Sequence, residues 1–120
     1  MKEIEMTVIQ TRIPRLHEQL DGKEAWDAIL QYGSLGKAIR MFKVNPHTQR
    51  RYSKMGISRA AYKWALEHLP EVKPQWTRLM IEAGLHPTED AWKEWLRDKA
   101  RVAYYYKVEI YEQFVADNGL

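Results

Sequence analysis

The large apolar residues of this chain recur at helical spacing, and each recurrence is bracketed by a residue that starts or stops a helix. Ala25, Trp26, Ile29 and Leu30 give residues 23–32 one apolar face, and Gly33 stops that helix. Ser34 then stands as an N-cap before Leu35, Ala38, Ile39 and Phe42, at i, i+3, i+4 and i+7. Asn45 can cap a further helix with Pro46 in its first position, running through Met55 and ended by Gly56. Ser58 can cap the next, with Ala61, Trp64, Ala65 and His68 or Leu69 on one face. Pro70 and Pro74 mark a connection to a helix over 75–83, ended by Gly84. Thr88 opens the longest pattern, with Glu89 and Asp90 in its first turn and apolar residues from Trp92 to Phe114. Upstream, Asp21-Gly22 ends a short piece carrying Ile13, Leu16 and Leu20. Residues 1–12 read as an extended arm or a frayed helix. The expectation is an all-α fold, a compact single domain over 1–120 whose long C-terminal helices occupy 75–118.

At 120 residues the chain can bury roughly two-thirds of its unfolded surface. Five Trp and seven Tyr supply the core, with Trp92 and Trp95 expected to pack around Trp26 and Trp64, and Tyr52 expected inside. Absence of Cys excludes disulfides and thiolate chemistry. The four His (His17, His47, His68, His86) never take the HExxH spacing, and His68 reads as a helix-end residue with a satisfied hydrogen bond. Residues 33–37 (GSLGK) only faintly resemble a phosphate loop, and no G-x-S-x-G elbow occurs. The inventory predicts no enzymatic activity, no metal, no cofactor and no small-molecule ligand. No apolar run approaches the roughly 20 residues a membrane helix needs, and acids stand where a signal peptide would be basic. A cytoplasmic protein is expected.

Charge is unevenly distributed. Residues 28–66 contain no Asp or Glu, yet hold Lys37, Arg40, Lys43, Arg50, Arg51, Lys54, Arg59 and Lys63. Residues 1–27 carry four bases and six acids, and residues 67–120 carry seven and ten. A basic block between mildly acidic flanks points to a polyanionic partner.

Residues 33–52 (GSLGKAIRMFKVNPHTQRRY) resemble the helix-turn-helix of bacterial and phage DNA-binding proteins. Ala38 matches the small residue where two helices approach, Phe42 and Val44 the apolar plugs beside the turn, and Asn45 the cap. The resemblance implies a helix-turn-helix region within 23–69 and double-stranded DNA as partner. Two departures stand out: Lys43 takes a position commonly Gly, and Gln49 one commonly aliphatic. They leave two registers open. In one, residues 46–55 form the recognition helix, with His47 and Thr48 at its start and Gln49 and Arg50 as base readers. In the other, 45–52 is an extended basic turn and the recognition helix spans 53–69, with Lys54, Ser58, Arg59, Tyr62 and Lys63 toward DNA. The implied function is sequence-specific DNA binding by a small transcriptional regulator. The alternatives are a phage packaging or replication accessory, or a protein-interaction module with a basic face.

Between Val102 and Tyr111 the apolar residues surround the whole helix, more than one side of a monomeric core can use. Val102, Tyr106, Ile110 and Phe114, at i, i+4, i+8 and i+12, form an expected seam for a homo-oligomer, a dimer being favoured.

Overall fold

The computed structural model describes residues 20–33, 35–42 and 49–120. It contains α1 (Gly22–Tyr32), α2 (Leu35–Met41), α3 (Lys54–Glu67), α4 (Leu69–Glu82), α5 (Glu89–Tyr104) and α6 (Val108–Asp117). The fold is all-α, as the periodicity predicts. The expectations for residues 1–12, for the piece around Leu16, for the Ser34 cap and for Lys43, Val44, Asn45, Pro46, His47 and Thr48 lie outside the described residues.

Where short-range signals act alone, the sequence reading holds. Gly33 ends α1 in the left-handed region, at φ 73°, with its amide on the Ile29 carbonyl. Thr88 caps α5, its hydroxyl accepting from the Ala91 amide at 3.1 Å. His68 closes α3 with Nδ1 2.8 Å from the Trp64 carbonyl, its ring stacked on Trp64 at 4.1 Å. One boundary moves: Asp21 begins a helix instead of ending one, accepting from the Lys23 and Glu24 amides.

Three helix assignments are corrected. No helix covers residues 49–53, so the predicted helix over 46–55 is absent there. α3 starts at Lys54 instead, because the Ser53 hydroxyl caps the Gly56 amide at 3.0 Å. Gly56 is therefore a buried first-turn residue and not a terminator, and Ser58 lies inside the helix and not at its cap. Pro70 and Pro74 do not separate helices. Pro70 sits in the first turn of α4, where no amide donor is needed, and Pro74 lies within α4. The helix tolerates it because Val72 and Trp76 anchor it to the core. Next to Pro74, the Thr77 hydroxyl donates to the Lys73 carbonyl at 2.8 Å. Finally, the long C-terminal helix breaks at residues 105–107 into α5 and α6. Folding back lays Phe114 against Tyr104, ring centroids 6.1 Å apart.

α3 is the central element and touches α1, α2, α4 and α5. Its buried residues include Ile57, Ala60, Ala61, Ala65 and Leu66. Small side chains let neighbours come close. A Cβ on Gly22 would meet the Ala60 carbonyl oxygen and the Trp64 Cβ at 2.7 Å each, so α1 can cross α3 there only with glycine. A chain of rings then joins the helices. Trp26 of α1 meets Tyr62 of α3 and Trp95 of α5 edge to face at 6.1 and 6.0 Å. Trp95 stacks on Trp92 at 5.3 Å, and Trp92 meets Trp76 of α4 at 5.0 Å. The Trp26 indole donates to Gln75 Oε1 at 2.8 Å, tying α1 to α4. Trp95 thus packs on Trp26 as expected and Trp92 follows through Trp95, while Trp64 lines the α1 crossing with its ring stacked on His68. Tyr52 is buried.

Candidate nucleic-acid interface

The basic block divides into an exposed end and an enclosed middle. Lys37 and Arg40 lie exposed on α2, one turn apart. Gln49, Arg50 and Arg51 form the exposed approach to α3, and Gln49 takes a left-handed backbone at φ 59°. Arg51 Nη1 donates to the Phe42 carbonyl at 2.9 Å and lies 3.4 Å from that of Arg40. It thereby satisfies carbonyls at the C-terminal end of α2, where a cation is also favoured by the helix dipole. Lys54 is the first residue of α3 and is exposed. Helices α1, α4, α5 and α6 each carry an acid in the first turn, whereas α3 carries none and opens on a lysine. A cation at a helix N-terminus opposes the dipole, so the local field there is positive from both sources. Lys63 lies farther along α3, exposed, with Glu67 Oε2 at 3.6 Å.

Of the two registers, only the one with a helix over 53–69 agrees with the boundaries of α3. Its outward face is nevertheless corrected. Ser58 and Arg59 are buried, with 8% and 3% of their surface exposed, so neither presents to a groove. Tyr62 is half-buried in the ring cluster with Trp26 and Trp95. Three of the five side chains assigned to that face serve packing, because α3 is covered on most sides.

Arg59 makes an unexpected cluster. Its guanidinium lies 3.6 Å from the Tyr105 ring centre and 4.1 Å from that of Tyr106, and Nη1 donates to the Tyr106 hydroxyl. Nε and Nη2 are buried and meet no hydrogen-bond acceptor among the described residues. Each unmade bond of this kind costs about 1–3 kcal/mol, or more for a charged donor. No local pattern could have shown this contact, since Arg59 and Tyr106 are 47 residues apart.

The expected seam is likewise rearranged. The break at 105–107 divides Val102 from Ile110 and Phe114. Tyr106 turns to Arg59, and Phe114 is half-buried against Tyr104. Ile110 is exposed, as are Tyr105 and Val108. Among the described residues no group of three or more His, Asp or Glu is placed to hold a metal ion. No described helix is long and apolar enough to cross a membrane.

Comparison with known proteins finds no family model, no curated protein and no solved structure that matches this chain.

Proposed function

We propose that this chain binds double-stranded DNA through its phosphates at the α2–α3 end, as a small DNA-binding regulator of bacterial or phage type. The observation that carries this reading is that Lys37 and Arg40 of α2, linked through Arg51 to its carbonyls, stand with exposed Arg50 and Lys54 at the start of α3, which opens on a lysine and has no acid in its first turn. Lys and Arg side chains hold the backbone and set the register, and the bases are left to Gln49 and Arg50. Two copies would bind half-sites about one helical turn apart, as small modules of this kind do to gain affinity.

The enclosure of α3 favours a second reading of the same surface. With Ser58, Arg59 and Tyr62 packed inward, the middle of α3 is not available to lie along a major groove. A packaging or replication accessory, which needs phosphate contacts more than base readout, fits that arrangement.

The experiment is a salt titration of binding to random and to selected duplexes. Each neutralised phosphate releases counterions, so about five contacts give a log–log slope near −4.5. Affinity then falls by roughly several hundredfold between about 50 and 200 mM salt. A selected duplex that outcompetes random DNA by 10³-fold or so supports the regulator. Equal competition supports the accessory. No binding at the lower salt excludes both and leaves an acidic protein as the partner.

A further inference from the structure

The Arg59 cluster is unexplained by the DNA reading, because its donors are enclosed and the exposed cations are elsewhere. A guanidinium has one edge where Nε–H and an Nη2–H point the same way. That edge pairs bidentately with two oxygens of a carboxylate or phosphate. In Arg59 the Nη1 side is taken by Tyr106, while the Nε/Nη2 edge meets no acceptor among the described residues. Nor does Arg59 form an ion pair among them.

We infer that Arg59 is a receiving site for a small phosphate, inorganic phosphate or a terminal phosphomonoester, that enters when the Tyr105–Tyr106 pair lifts. A phosphate of nearly two negative charges gains more from an unpaired guanidinium than a single carboxylate does. The cover lies at the surface. Tyr105 and Tyr106 are 52% and 44% exposed, and they sit at the break between α5 and α6. α6 in turn packs chiefly on α5, so it can swing without opening the α1–α3–α5 core. The enclosed position selects against a phosphodiester, whose two flanking sugars cannot follow it under the rings. The site is therefore separate from the proposed DNA surface and stands or falls without it.

The test observes the Arg59 Nε–H resonance of the full-length, 15N-labelled chain, assigned through its own side chain and its contacts to the Tyr105 ring. Inorganic phosphate is titrated against sodium chloride at matched ionic strength. A saturable shift confined to phosphate is expected. Tyr106→Phe removes the acceptor on Nη1 and loosens the cover, and should tighten phosphate binding about tenfold, the worth of one hydrogen bond to a charged group. No saturable shift in either protein overturns the inference. So does an equal shift in chloride, or a shift with acetate and none with phosphate. Duplex DNA should leave this resonance in place. A duplex that moves it while inorganic phosphate does not also overturns the assignment. Because the wild-type resonance carries the test, it holds even if an Arg59 variant fails to fold.

Discussion

The Arg51 guanidinium donates to the Phe42 carbonyl at 2.9 Å, so a side chain of the basic block also closes the end of α2. Arg51→Ala should therefore lower stability by about 1 kcal/mol and weaken DNA binding together. Lys54→Ala should separate the two. It removes a phosphate contact but relieves a cation at a helix N-terminus, so the protein is unchanged or stabilised by a few tenths of a kcal/mol. Denaturant unfolding and a DNA titration on both variants check the contrast. Equal destabilisation would remove the capping role of Arg51.

Gly22 and Gly36 should respond oppositely to alanine. A Cβ at Gly22 meets backbone oxygen at 2.7 Å, which cannot rotate away, whereas a Cβ at Gly36 meets nothing within 4 Å. Gly22→Ala should destabilise by about 1–3 kcal/mol despite the better helix propensity of alanine. Gly36→Ala should stabilise by about 0.5–1 kcal/mol. Calorimetric Tm values decide, since each kcal/mol moves Tm by roughly 4 °C or more at this size. A Gly22→Ala protein as stable as wild type would show that α1 can retreat from α3.

Burial raises the phenols of Tyr62 and Tyr104 above the ordinary tyrosine range, with Glu67 adding to Tyr104. A raised folded pKa favours the neutral phenol. Its contribution is fully present below the unfolded value near 10 and is lost as pH climbs through the folded value. Lys99, half-buried with its ammonium 4.7 Å from the Tyr62 ring centre, has its pKa lowered by burial, and Asp98 opposes that shift. A lowered lysine pKa works the other way, so its folded-state penalty is relieved as pH approaches 10.5. The two tyrosines should win above about pH 10, giving a steep alkaline unfolding. Tyr62→Phe with Tyr104→Phe should move that midpoint upward, read by circular dichroism alongside phenolate absorbance. An unchanged midpoint would mean other groups drive the transition.

If the chain associates through α6, Ile110→Asp alone should yield a folded monomer, because Ile110 is 43% exposed. Phe114→Asp should instead cost about 3 kcal/mol or more, since the ring packs on Tyr104. Sedimentation and thermal unfolding of the two single variants separate association from folding. A wild type that sediments as a monomer at tens of micromolar removes the seam.

Helix identity was legible wherever a cap or an apolar face acts within one or two turns. Trp26, Ala38, Phe42 and Trp92 are buried at the positions their spacing assigns, and Gly33 and Thr88 end and begin helices as their chemistry requires. The uneven charge was equally plain, being a property of composition. What the tertiary structure decided is which capable residue acts. Ser53 and Ser58 are both competent caps, and the fold uses Ser53, which lets residues 56–58 join the buried face of α3. Pro74 signals a break, and the anchoring of Val72 and Trp76 overrides it. The stripe from Trp92 to Phe114 signals one helix, yet it divides so that Phe114 reaches Tyr104 and Tyr106 reaches Arg59. Local hydrogen bonds are worth about 1 kcal/mol each, whereas burying a large side chain is worth about 1.5–3. Arg59 shows the same rule from the other side: its sequence neighbours make it a surface cation, and only contacts across 47 residues enclose it.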